Sequence, residues 1–419
     1  MKRLTLVRDP QAVVCALRDP LASAADVERV VREILDDVRA RGDDAVREHT
    51  RRLDGVELPQ PYALEQSELA AALEATEPDL RAALELAAAN IRAYHGRELP
   101  VAWRERLPQG QVVGQEIVPL AVAGLYVPGG LADYPSSVLM TAIPAQVAGV
   151  ERVVLCSPPR PGGGVAAGVA AAAALLGVTD VLPIGGAQAV AAMAVGTATV
   201  PRCDVIVGPG NAYVTEAKRQ VMGEVRIDGL AGPSEVLIVA DHDGRPDWLA
   251  ADLLAQAEHG AGAMAALLDV GGELGDRVDE AVVRLAAELG LSTERVAIVA
   301  CPDVAGAMSL VNAFAPEHLE LHAADAAALL PLVRNAGAVF VGPRAATAFA
   351  DYAAGTNHVL PTGGSARFGQ GLSVVDFQKR VGVVELDAEA ARGLAAAVAT
   401  IADAEGLRSH ALSVRLRVE

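Results

Sequence analysis

The chain is 419 residues long, which suggests two or three domains of about 150 residues each. Hydrophobic residues make up 52% and charged residues 21%, enough apolar material for a sizeable core and too much for a disordered chain. The net charge of −18, with no basic run to offset it, argues against a nucleic-acid-binding protein. Aromatic residues are only 3%, so Ala-rich helices on Val/Ile/Leu strands are the expected core.

Cys15, Cys156, Cys203 and Cys301 are scattered and form no CxxC pair, which favours a reducing compartment over a disulfide framework. The first residues carry Arg8 and Asp9 and lack the apolar stretch of a signal peptide. Residues 162–179 are uncharged but are mostly Ala and Gly, and Pro183 and Gly185-Gly186 interrupt the uncharged stretch after Asp180. A buried helix, strand and helix fit this region better than a membrane span, and the protein reads as cytoplasmic.

In chain order, the first hundred residues look helical. Val27, Val30, Val31, Ile34, Leu35 and Val38 follow the spacing of one buried helix face, with Ser23 as N-cap and Gly42 as stop. A second helical stretch runs from about Leu69 to Arg97. From Pro119 short apolar runs alternate with helical segments. Residues 153–156, 181–184, 205–207, 235–239, 266–268, 296–299 and 339–341 read as strands. Such alternation predicts an α/β fold with parallel sheets, two of them. The last fifty residues read as helical again.

Eight histidines occur, six of them from position 242 onward. His49 and His95 sit in plain helical sequence and read as solvated or structural. Gln256 and His259 share a face at the end of a helix and could point at one ion, although on spacing alone a polar last turn explains them better. Glu317 and His318 follow an apolar helix and offer two proton acceptors of different pKa. Helical neighbours point about 100° apart, so this pair would serve two reacting atoms rather than relay to one another. Residues 351–364 form the densest polar loop, in which Asp351 or His358 could ligate zinc or simply brace the loop. Glu405 and His410 lie in a tail that is ordinary in every other respect. No GxGxxG fingerprint, P-loop or HExxH is present; Gly208-Pro209-Gly210 supplies two glycines, but Tyr213 blocks the role of the third.

Eight segments, in this order, resemble the histidinol dehydrogenase family. They are residues 124–130 (GLYVPGG), 185–188 (GGAQ), 208–220 (GPGNAYVTEAKRQ), 231–236 (AGPSEV), 256–259 (QAEH), 315–320 (APEHLE), 351–352 with 357–362 (DY, NHVLPT) and 405–410 (EGLRSH). Each alone is weak; together they span the chain. The resemblance implies two incomplete Rossmann-like parallel-sheet domains with helical N- and C-terminal extensions. Its division is a helical arm over 1–22, a discontinuous α/β domain over 23–125 and 235–370, an inserted domain over 126–234, and a helical tail over 371–419.

The resemblance also implies an activity: oxidation of L-histidinol through L-histidinal to L-histidine with two NAD, the last step of histidine biosynthesis. One Zn2+ per subunit would be held by Gln256, His259, Asp351 and His410, the last supplied by the partner of a homodimer with shared active sites. Glu317 and His318 would be the acid/base pair. Ser234, His358 and Glu405 would contact substrate alongside the metal ligands and His318, while Tyr126, Gln188 and Asn211 would contact NAD. The chain departs from the family pattern at Ala350, where Gly is usual, at Thr356, where Pro is usual, and after His259, where Asp-Pro is usual. The alternatives are a related zinc- and NAD-dependent dehydrogenase of another small alcohol, a zinc hydrolase and a non-catalytic scaffold.

Overall fold

The computed structural model describes residues 1–6, 9–18, 25–129, 133–260 and 262–419. The cap expected at Ser23 lies outside them. The chain begins with β1 (Lys2–Thr5), α1 (Pro10–Leu17), α2 (Ala25–Arg41), α3 (Asp43–Asp54), α4 (Gln66–Glu74) and α5 (Pro78–His95). β2 (Trp103–Arg106) and β3 (Val112–Pro119) follow. Alternation then sets in with β4 (Val122–Tyr126), α6 (Pro135–Ala148), β5 (Arg152–Cys156), α7 (Ala167–Leu175), β6 (Asp180–Leu182), α8 (Gly186–Val195), β7 (Val205–Val207), α9 (Ala212–Val221) and β8 (Arg226–Ile227). It resumes with β9 (Glu235–Ala240), α10 (Pro246–Ala257), β10 (Met264–Val270), α11 (Gly275–Leu289), β11 (Val296–Cys301), α12 (Val304–Phe314), β12 (His318–His322), α13 (Ala326–Leu329) and β13 (Ala338–Val341). α14 (Thr347–Tyr352), β14 (Gln378–Glu385), α15 (Ala388–Ala404) and α16 (Arg408–Arg415) close the chain.

Two parallel sheets organise these elements, as the sequence predicts. The five-stranded sheet has the order β6-β5-β4-β7-β8, and the six-stranded sheet the order β1-β11-β10-β9-β12-β13. In each, strand order reverses beside the strand that opens the alternation: between β4 and β7, and between β9 and β12. Such reversals leave a crevice in which α/β proteins bind ligands. A small antiparallel sheet, β14-β3-β2, joins residues 378–385 to residues 112–119.

Alternating side chains divide the five-stranded sheet between two cores. Leu125, Leu155 and Val207 pack with Leu69, Leu84 and Ile91 of α4 and α5. Val154, Cys156 and Ile206 pack with Val31, Ile34, Leu35 and Val38 of α2. The helices over 25–95 therefore share the cores of the five-stranded sheet, whereas the division implied by the resemblance groups them with 235–370. The six-stranded sheet is covered by α1 and α12 on one face and by α10 and α11 on the other.

Three local expectations are corrected. Residues 1–22 are not simply a helical arm, because β1 pairs in parallel with β11 at the sheet edge; four residues are too few to show a period. The stretch from Leu69 breaks before Pro78, which opens α5 with its fixed φ. The tail contains β14, whose pairing with β3 overrides a sequence that reads as helical. Among the described residues no helix is long and apolar enough to cross a membrane.

Candidate active site

The reversal between β9 and β12 brings residues 234–235 beside 317–318, with His318 in register with Val236. Glu317 does not sit in a helix. It immediately precedes β12, and Ala315 at φ 54° ends α12 just ahead of it. Glu317 Oε2 accepts from Ser234 Oγ at 2.6 Å and from the Glu235 N–H at 2.8 Å. The residue is only 6% exposed, and burial pushes its carboxyl up to about 8.

His318 is 4% exposed. Its Nδ1 lies 3.1 Å from the Glu235 carbonyl, a contact in which the ring nitrogen donates. That tautomer puts the lone pair on Nε2, which is buried without a hydrogen-bond partner and lies 3.8 Å from Asp351 Oδ1. Burial lowers the His318 pKa, so the ring is neutral and able to accept a proton.

Asp351 lies in the last turn of α14, and burial raises its carboxyl to about 6. His358 donates from Nδ1 to the Asp351 carbonyl at 2.9 Å, and desolvation lowers its pKa to about 4. The loop between them is braced by Asn357, whose amide donates to the Met140 carbonyl at 2.7 Å and to His95 Nε2 at 3.1 Å. His95 is thus structural, as is His49, 2.8 Å from Asp37. Gly355 has φ 114°, and a Cβ there would lie 2.9 Å from the Asn90 carbonyl, so this turn requires glycine.

Gln256 lies in the last turn of α10, which packs against α14. Its buried amide Nε2 has no hydrogen-bond partner; exchanging the amide's O and N makes that atom a free carbonyl oxygen. His259 is exposed two residues past the helix. Gln256, His259 and Asp351 offer amide, imidazole and carboxylate groups, of which the imidazole and the carboxylate are usual zinc donors. His410 and Glu405 stand apart. Both are exposed, α16 packs on α15 through Ala411, and neither is among the main groups shifting Glu317, His318, Asp351 or His358.

Tyr126, Gln188 and Asn211 gather at the C-terminal edge of the five-stranded sheet. Tyr126 ends β4 and its hydroxyl accepts from the Gly186 N–H at 3.1 Å. Gln188 is buried, donates to Asp54 at 3.3 Å, and leaves Oε1 without a partner. Asn211 caps α9 by accepting from the N–H groups of Tyr213 and Val214. Gly208 permits the close approach of this loop to β4, since a Cβ there would collide with the Tyr126 carbonyl.

Sequence reading missed two features. One is the Glu235 carboxylate, paired to Arg18 by hydrogen bonds of 2.8 and 2.9 Å; this is a contact across 217 residues with no local signal. The other is the group Asp252, Glu320 and His322, which offers ligand atoms within 4.8 Å of one another. Its signal was present in the alternation His318, Glu320, His322 within an otherwise buried strand.

The family model for histidinol dehydrogenase matches residues 17–418. A histidinol dehydrogenase of Rhizobium meliloti (strain 1021) is 49% identical over 401 residues, covering 94% of this chain and 92% of that protein. One from Pseudomonas aeruginosa is 47% identical over 401 residues, covering 94% of this chain and 91% of that protein. The crystal structure of histidinol dehydrogenase from Elizabethkingia anophelis superposes with a TM-score of 0.94 at 31% identity, covering 100% of this chain and 98% of that one. An acetylating aldehyde dehydrogenase from Geobacillus thermoglucosidasius, with a TM-score of 0.50 at 14% identity, covers 90% of this chain and 95% of that one and shares the fold alone. The chain belongs to the histidinol dehydrogenase family.

Proposed function

We propose that this member of the family, an oxidoreductase of histidine biosynthesis, oxidises L-histidinol through L-histidinal to L-histidine at the β9–β12 edge, using two NAD in succession. The observation that carries this reading is the pairing of Glu317 with His318. Two adjacent groups are buried and held by one residue's backbone, one neutral with a free lone pair and the other with a proton near its point of release.

An alcohol becomes an acid by losing four electrons, and nicotinamide accepts two at a time as a hydride. In the first half-reaction His318 Nε2 takes the hydroxyl proton as the hydride leaves the carbinol carbon. The aldehyde then needs water. Glu317, in its ionised form, takes a proton from that water as the oxygen adds to the carbonyl carbon. His318, protonated in the first step, returns that proton to the carbonyl oxygen as the water adds, so the hydrate forms and the imidazole is neutral again. The hydrate then loses its second hydride while His318 accepts a hydroxyl proton. Two NADH and one carboxylate result.

Zinc would be held by Gln256, His259 and Asp351, with His410 of the partner subunit completing a homodimer with shared active sites. When bound, it would supply a fixed electrophile that orients the substrate for oxidation. The unpartnered Gln256 amide and the half-buried Asp351 carboxyl support this set. Ser234, His358 and Glu405 are assigned to substrate. Tyr126, Gln188 and Asn211 are assigned to NAD, on the strength of their place at the β4–β7 reversal. A cytoplasmic location belongs to the same reading. Chelation tests it: NADH formation from L-histidinol should cease and should return with one zinc per subunit. Activity that survives complete metal removal would overturn the zinc assignment.

A further inference from the structure

Among the buried polar groups that the proposed mechanism does not use, one lies on the strand of His318. His318, Glu320 and His322 alternate along β12 and so project from the same face of the sheet. Glu320 is 0% and His322 3% exposed. Asp252 of α10 completes the group, and His322 Nε2 lies 3.1 Å from Glu320 Oε2. The other carboxylate oxygen of Glu320 accepts two hydrogen bonds of 2.8 Å, from the N–H and the hydroxyl of Thr347.

These contacts join three elements. Thr347 opens α14, on which Asp351 follows four residues later. Asp252 precedes Gln256 by four residues on α10, and therefore shares its face. Glu320 itself follows His318 by two on β12. A single buried carboxylate on the strand that holds the proposed base thus hydrogen-bonds the first turn of the helix bearing Asp351, and lies within 4.8 Å of Asp252 on the helix bearing Gln256.

We propose that Glu320 is a positioning residue for the oxidation: it ties α14 to β12 through Thr347 and so sets Asp351 against His318. The role rests on the assignment of those two residues under Proposed function. The His318–Asp351 separation of 3.8 Å leaves little tolerance, since displacement of about 1 Å at a reacting group can cost about 100-fold in rate. Removing Glu320 would free the Thr347 N–H and leave His322 without its neighbour, so α14 could shift.

The test uses the full-length holoenzyme with Glu320→Ala, Glu320→Gln and Thr347→Val. Zinc affinity is read by competition with a chromophoric chelator, alongside kcat, KM for L-histidinol, and melting temperature. Glu320→Ala should weaken zinc binding by about 10- to 100-fold and lower kcat. Glu320→Gln keeps a carbonyl acceptor for Thr347 and should recover most of both. Thr347→Val removes one of the two hydrogen bonds and should weaken zinc binding by a few-fold. If Glu320→Ala does not fold, Thr347→Val decides. Variants that lose thermal stability yet keep zinc affinity and kcat within about two-fold would overturn the role, showing Glu320 to be merely structural. Wild-type protein that takes up no zinc would overturn the ligand assignment itself, and this role with it.

Discussion

The carbonyl oxygen of Glu235 lies 3.1 Å from Nδ1 of His318, and that one contact sets the chemistry of the imidazole. It fixes the tautomer, directs the lone pair of Nε2 toward Asp351, and keeps the ring from turning. The N–H of the same residue holds Glu317 Oε2 at 2.8 Å. The residue that opens β9 therefore orients both proposed proton carriers through its backbone, while its side chain faces Arg18.

Arg18→Ala should destabilise the protein by about 3 kcal/mol in denaturant unfolding, because it leaves the buried Glu235 carboxylate unpaired. Burial already raises this carboxyl, and losing Arg18 raises it further. A folded-state pKa above the unfolded one gives stability that is intact at low pH and lost as pH rises, so the deficit should grow from about pH 5 to about pH 8. A deficit that shrinks over this range would contradict the pairing.

Glu317→Gln should slow oxidation of supplied L-histidinal by about 100-fold or more while affecting the alcohol step much less, since only the aldehyde needs an activated water. Stopped-flow measurement of NADH from each substrate separates the two. Equal losses would sink the division of labour between Glu317 and His318.

Zinc-free protein should lose stability as pH rises. Burial holds Glu317 at about 8 and Asp351 at about 6, both above their unfolded values, so their contributions are complete below about pH 4 and fall through these pKa values. The melting temperature should decline from about pH 5 to about pH 8, and Glu317→Gln should flatten that decline. An unchanged slope in the variant would assign the effect elsewhere.

Shared sites predict complementation. His410→Ala and Glu317→Gln should each be nearly inactive, yet co-expression should restore about a quarter of wild-type activity, because half of the dimers are hybrids with one intact site. No recovery, in a preparation shown to contain hybrid dimers, would place His410 outside the neighbour's site.

Much of this architecture was legible because both parallel sheets are built from short apolar runs such as residues 235–239, whose burial on two faces writes itself into composition. β1 and β14 were not legible, since each depends on a partner distant in the chain. The polar motifs marked Glu317 and His318, but the reading put them in helical geometry where a strand begins. The brace formed by Arg18 and Glu235, and the anchor from Glu320 to Thr347, are contacts between distant residues, and residue spacing carries no trace of them.

The central claim is a four-electron oxidation at a single site, and counting NADH per L-histidinol consumed tests it most directly. Two NADH, with no free L-histidinal accumulating, is the predicted result. One NADH with released aldehyde would make the enzyme a simple alcohol dehydrogenase, and none would remove the proposed reaction.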